Sequence, residues 1–170
     1  NEIGYNTITN CGGEDFVWGG GCGGDENKNG EGVYIGTSPE QWGTYGAPTA
    51  DPDESNNNWV HGNSIETQGN ECIEIKERSS GNIIEDNTCI GQKDTEAAGL
   101  NSRGSGNIFR YNKIYGNCGA GIRFGGDTED DGRGNDAYGN EIFENQGGGI
   151  KFQATPQGPV CGNILRDNDG

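Results

Sequence analysis

The chain has 170 residues, 34 of them Gly and 28% hydrophobic, with 27 acids against 11 bases and a formal net charge of -16. So few apolar residues cannot fill an ordinary globular core of this length, yet three Trp, six Tyr, five Phe and six Cys are out of place in a solvating, disordered tail. The acidity excludes the basic surface that nucleic acid requires, the glycines show no collagen-like period, and no apolar run approaches the roughly 18 residues of a membrane-spanning helix.

Cys11, Cys22, Cys72, Cys89, Cys118 and Cys161 are even in number and scattered, without the paired spacing of a zinc site. They read as disulfides, which places the protein outside the cell. The chain has no Met and opens on no charged-then-apolar leader, as expected of a mature chain or a piece of a longer one.

Along the chain the pattern N-x-x-x-x-N recurs at Asn1/Asn6, Asn58/Asn63, Asn82/Asn87, Asn107/Asn112, Asn135/Asn140 and Asn163/Asn168. After a first gap of 57 residues, the spacings are 24, 25, 28 and 28. Two residues beyond each first Asn lie Ile3, Val60, Ile84, Phe109, Ala137 and Leu165, all apolar. Two beyond the second lie Ile8, Ile65, Cys89, Ile114 and Ile142. A third short segment follows in each complete turn, at Val33–Ile35, Ile73–Ile75, Leu100–Ser102, Ile122–Phe124 and Ile150–Phe152. All but the Ser102 segment alternate apolar, polar, apolar, the two-residue period of a strand with one buried face.

Three short strands per turn, repeated in register, describe an all-β parallel β-helix of about six turns of 24–28 residues. Its core is one side chain wide, which explains the low apolar content. The recurring Asn suits bends where each amide bonds the amide one turn away. These motifs resemble PbH1-type repeats over nearly the whole chain. That resemblance, with the general rule for parallel crossovers, implies a right-handed solenoid. We read residues 1–170 as one such domain, a segment of a longer solenoid.

The first gap holds one turn with two insertions, near 11–30 and 36–56. The first carries Trp18, a glycine run, and Cys11 and Cys22, placed to staple each other. The second carries Trp42, Tyr45, Pro48 and the acidic run Asp51 to Glu54. Long loops on a solenoid gather on one side and border a binding face, or cap an open end.

The segment Glu71-Cys-Ile-Glu-Ile-Lys76, followed one turn later by Leu100-Asn-Ser-Arg103, stacks Asn101 over Glu74 and Arg103 over Lys76. The pattern E-x-I-x-x-K, then L-x-x-R, is similar to that of family 6 polysaccharide lyases, the alginate and chondroitin lyases. The resemblance implies Lys76 as the base and Arg103 as the residue that helps deliver the proton. In uronate β-elimination a proton leaves the carbon beside a carboxylate, and a cation there stabilises the enolate-like transition state. A nearby cation would lower the lysine pKa, whereas Glu74 and Glu77 beside Lys76 would raise it.

The outward column of the third strand reads Tyr34, Glu74, Asn101, Arg123 and Lys151. Much of the scarce positive charge thus falls on one face, suited to binding an acidic or neutral polysaccharide. Asp127, Glu129, Asp130 and Asp131 gather carboxylates in one turn, and hard oxygen ligands suit Ca²⁺. His61 reads as a surface residue without metal or nucleophile partners, and the glycine runs match no phosphate loop. Two functions follow from different features. The stacked Lys76 and Arg103 suggest a secreted protein that engages polysaccharide, as a lyase in its enzymatic form. The alternative is a non-catalytic extracellular solenoid whose copies stack end to end into a fibre or surface appendage.

Overall fold

The structure, a computed structural model, describes residues 1–11, 21–23, 29–44 and 51–169. Their strands, numbered β1 to β17 in chain order, fall into three parallel sheets. The first stacks β1 (Glu2–Gly4), β4 (Trp59–His61), β7 (Ile83–Glu85), β10 (Ile108–Arg110), β13 (Asp136–Tyr138) and β16 (Val160–Cys161). The second stacks β2 (Thr7–Cys11), β5 (Ser64–Thr67), β8 (Thr88–Ile90), β11 (Lys113–Tyr115), β14 (Glu141–Phe143) and β17 (Ile164–Arg166). The third stacks β3 (Val33–Ile35), β6 (Ile73–Ile75), β9 (Ala98–Ser102), β12 (Ala120–Phe124) and β15 (Ile150–Phe152). The chain visits the sheets in rotation, so the fold is a right-handed parallel β-helix of about six turns. Trp18, Tyr45 and Pro48 lie outside the described residues.

Each inward column is a continuous stack. Val60, Ile84, Phe109 and Ala137 fill one; Ile65, Cys89, Ile114 and Ile142 fill the second; Ile73, Leu100 and Ile122 belong to the third, and all are fully buried. Phe109 and Phe124 meet across the interior with ring centroids 5.3 Å apart. Ser102, where the alternation lapses, is buried too, and its hydroxyl donates to the Gly104 carbonyl at 2.8 Å.

The bends are held by asparagine ladders. In each, the backbone N–H of one residue donates to the Oδ1 of the Asn one turn toward the C-terminus, joined at most rungs by the side-chain amide. The Asn107 and Gln92 amides turn instead to Ser79 and Ser102 and to Asp94, respectively. One ladder runs unbroken through Asn6, Asn63, Asn87, Asn112, Asn140 and Asn163. A second runs through Asn58, Asn82, Asn107 and Asn135. Buried amides without these partners would each cost on the order of 1–3 kcal/mol. A third ladder, Gln92 to Asn117 to Asn145 to Asn168, carries the remaining bend.

Three expectations need correction. The last repeat shifts by one column: Asn163 continues the ladder of second asparagines, and Gln157 takes the place expected of Asn163 by accepting from the Asn135 N–H. Leu165 accordingly stacks on Ile142, and Val160 stacks on Ala137. The disulfides join Cys22 to Cys118 and Cys72 to Cys89, leaving Cys11 and Cys161 as free thiols. Cys11 and Cys22 therefore do not staple each other, because the solenoid brings Cys118, 96 residues away in sequence, to Cys22. Finally, His61 does point outward but is only 4% exposed. It stacks on Trp59 at 3.7 Å, meets Tyr5 edge-on and contacts Glu2 Oε1 at 2.9 Å. Gly4 makes the room, since a Cβ there would lie 2.6 Å from His61 Nε2.

Candidate functional site

The outer face of the third sheet is where polar side chains converge. Parallel pairing puts Tyr34 beside Glu74, Glu74 beside Asn101, Asn101 beside Arg123 and Arg123 beside Lys151, the column expected from alternation. Lys76 and Arg103 follow the ends of β6 and β9, and their N–H groups bond to Ile35 and Ile75 of the preceding turns, each at 2.8 Å. A cleft of about 560 Å³ opens over this face, lined by Tyr34, Glu74, Lys76, Arg103 and Arg123 among others. Lys151 lies in an adjoining hollow that shares Arg103 and Arg123 with the cleft.

Glu74 organises the site. Its Oε1 accepts from Lys76 Nζ at 3.3 Å, Asn101 Nδ2 at 3.0 Å and Arg103 Nε at 3.1 Å. Arg123 Nε donates to Asn101 Oδ1 at 3.0 Å, extending the network by one more turn. The Lys76 ammonium lies 5.4 Å from the centre of the Tyr34 ring, within cation–π range.

Burial alone would pull the Lys76 pKa down, but Glu74, with Glu77 and Tyr34, outweighs burial and the repulsion from Arg103. The net effect is a lysine above its usual range, so the sequence's warning about the flanking glutamates holds. Burial likewise raises the Tyr34 hydroxyl, with Lys76 opposing. The Arg103 pKa is also raised: burial pulls it down, but Glu74, Glu77 and Asp127 together outweigh this. A guanidinium so held keeps its charge, which suits it to act as a fixed cation beside a carboxylate; the structure does not bear on the proton-delivering role that the lyase resemblance implied for Arg103.

Two acidic residues of the site went unassigned in the sequence. Glu31 and Glu71 each sit two residues before a third-sheet strand, and the Gly32 N–H bonds to the Glu71 carbonyl, so the two glutamates stack. One carboxylate oxygen from each of Glu31, Glu71 and Glu74 falls within 4.8 Å of the others. Burial drives the Glu71 carboxyl well above its usual range, and the Glu74 charge adds to this while Arg123 opposes it. Burial also raises Glu31, and beyond it the Glu74 charge adds to the shift. Glu71 Oε2 is buried and accepts no hydrogen bond among the described residues. Three converging carboxylate oxygens, on a triad whose Glu71 also carries an unsatisfied buried oxygen, fit a hard cation such as Ca²⁺.

The acids of the 127–131 turn, expected to hold calcium, do not gather their oxygens in the structure: Asp127 pairs with Arg103, Asp130 with Arg133, and Asp131 accepts from the Thr128 N–H. Among the described residues, the acids that gather ligand atoms are those of the cleft.

No protein-family model matches the chain, and no curated protein sequence is significantly similar to it. Its fold is similar to the crystal structure of an alginate lyase from Paenibacillus sp. str. FPU-7, with a TM-score of 0.77 at 22% identity. The likeness covers 100% of this chain and 56% of that one, so this chain spans little more than half of that enzyme's length. The protein shares the architecture of a polysaccharide lyase.

Proposed function

We propose that the protein is a secreted polysaccharide lyase that cleaves uronate-containing chains by β-elimination at the third-sheet cleft. The observation that carries this reading is the convergence of Lys76, Asn101 and Arg103 on Glu74 Oε1, beside Tyr34, in an open cleft. The fold's likeness to an alginate lyase supports it, and two disulfides suit an oxidising, extracellular setting.

In this mechanism Arg103 neutralises the uronate carboxylate and lowers the barrier to an enolate-like transition state. Neutral Lys76 Nζ takes the proton from the carbon beside that carboxylate, and the freed electron pair forms the new C=C bond. The C4–O bond breaks with its electrons on oxygen, which takes a proton from the Tyr34 hydroxyl. Transfer of a proton from the Lys76 ammonium to the Tyr34 phenolate restores both groups. Glu74 holds the cations in place. Glu31, Glu71 and Glu74 would hold a divalent cation, which when bound supplies further positive charge for the substrate carboxylate.

The test is incubation with alginate, polygalacturonate and chondroitin, followed by ultraviolet absorbance of the unsaturated product. Product from one of them with the native chain, and none with Lys76→Ala, is the expected result. Absence of product from all three, from neutral to alkaline pH, would overturn the reading.

A further inference from the structure

Arg103 carries three carboxylates, and they are not alike. Glu74 meets its Nε at 3.1 Å and Glu77 its terminal nitrogen at 3.3 Å, from side chains only 4% and 3% exposed. Asp127 meets the same terminal nitrogen at 2.9 Å, the shortest of the three, yet its side chain is 65% exposed. It reaches Arg103 from the loop that follows β12, bounded by Gly125 at φ 140° and Gly132 at φ 72°. Such angles are open to glycine and costly for other residues.

The charge count singles out the same residue. Among the immediate partners of Lys76 and Arg103, the buried Glu74 and Glu77 already match the two cations, so Asp127 is a third anion on the pair. Lys151 is exposed in the hollow that Asp127 also lines, and it forms no ion pair among the described residues. That hollow, of about 530 Å³, adjoins another of about 700 Å³ that runs past Trp42 and Glu77. The residues that line both are Arg103 and Asp127. Their ion pair therefore stands as a partition across what would otherwise be one groove.

We infer that Asp127 occupies, on Arg103, the place of the substrate's uronate carboxylate, and so sets the cleft's selectivity for anionic sugars. The inference rests on the proposed lyase reading and specifies how the same site chooses its ligand. A uronate carboxylate replaces Asp127 at equal charge on the guanidinium, the partition opens, and the chain spans both hollows. A neutral sugar has nothing to offer Arg103 in exchange, so Asp127 stays and the groove remains divided. Displacing an exposed carboxylate is cheap compared with breaking either buried partner.

Calorimetric titration of the Lys76→Ala protein, which binds without turnover, tests this. The probes are alginate oligosaccharides and neutral cello-oligosaccharides of equal length. Adding Asp127→Asn, or Asp127→Ala, is expected to tighten alginate binding about two- to fivefold, the range for an exposed ion pair, and to leave the neutral oligosaccharide unchanged. Unchanged or weaker alginate binding in both double variants, with the Lys76→Ala parent still binding, overturns the role of Asp127 and leaves the lyase reading intact. Binding of no uronate oligosaccharide by any of the three proteins overturns both.

Discussion

The first and third sheets present outward faces built by the same repeat, and they treat charge in opposite ways. On the first, Glu85 is held by Arg110 Nε and by the Trp59 indole N–H at 2.6 Å, and Arg110 donates onward to the Tyr138 hydroxyl at 3.1 Å. The hydrogen bond from Arg110, more than any other influence, lowers the Glu85 pKa. On the third, Glu31, Glu71 and Glu77 are raised, in each case chiefly by burial. The first face is a solved electrostatic problem that braces neighbouring turns. The third keeps buried carboxylates in excess of their cations, at a cost in stability. An unresolved charge pattern inside a cleft is a mark of a binding or catalytic site.

The sharpest way to break this contrast is at Lys76. Lys76→Ala is expected to lower kcat/KM on a uronate polymer by about 10²–10⁴-fold, the usual contribution of a positioned acid or base. Lys76→Arg should fail to restore the rate, since it keeps the cation but cannot give up its proton. With the lysine pKa raised, the native rate should climb with pH from neutral into the alkaline range as the neutral amine becomes more populated. A rate that falls over that range would remove Lys76 as the base.

A ladder substitution should separate stability from chemistry. Asn112→Ala strips partners from the Asn87 N–H, the Asn87 amide and the Ile84 carbonyl. It should cost at least about 2 kcal/mol in urea unfolding.

The two faces should also answer pH with opposite sign. Glu71 is raised on folding, so it contributes stability below the ordinary glutamate range and loses it as pH rises through its raised value. Glu71→Gln should therefore melt close to the native protein in acid and increasingly above it toward neutral and alkaline pH. If the triad of which it is part holds Ca²⁺, added Ca²⁺ should raise the native melting temperature and leave the variant unmoved. Glu85 is lowered, so its contribution is present above the ordinary range and disappears as pH falls. Glu85→Gln should cost about 1 kcal/mol or less at neutral pH, converge with the native protein in acid, and leave activity unchanged. A loss of activity would mean that the first face is no mere brace.

Much of the fold was legible because a solenoid writes its contacts into the sequence as a period. Columns such as Ile8, Ile65, Cys89, Ile114 and Ile142 needed only alignment, and the outward row from Tyr34 to Lys151 followed from alternation. The period misled where a residue substituted chemically for another. Gln157 offers an amide oxygen as an asparagine does, so the last turn was read one column late. The third ladder escaped notice because it begins on Gln92 rather than on Asn. In the site, spacing alone put Glu74, Lys76 and Arg103 on one face, and the family resemblance marked the last two, but Glu31 could not be found, since its place over Glu71 depends on the third-strand register continuing two residues ahead of the strands.

The sequence by itself determined the solenoid, its buried columns and the face on which its cations gather, because each depends on contacts between equivalent positions in adjacent turns. Only the tertiary structure decided which cysteines pair, that His61 is enclosed between Tyr5 and Trp59, and that Asp127 reaches Arg103. Those outcomes depend on how loops and long side chains reach across the stack, which no repeat encodes.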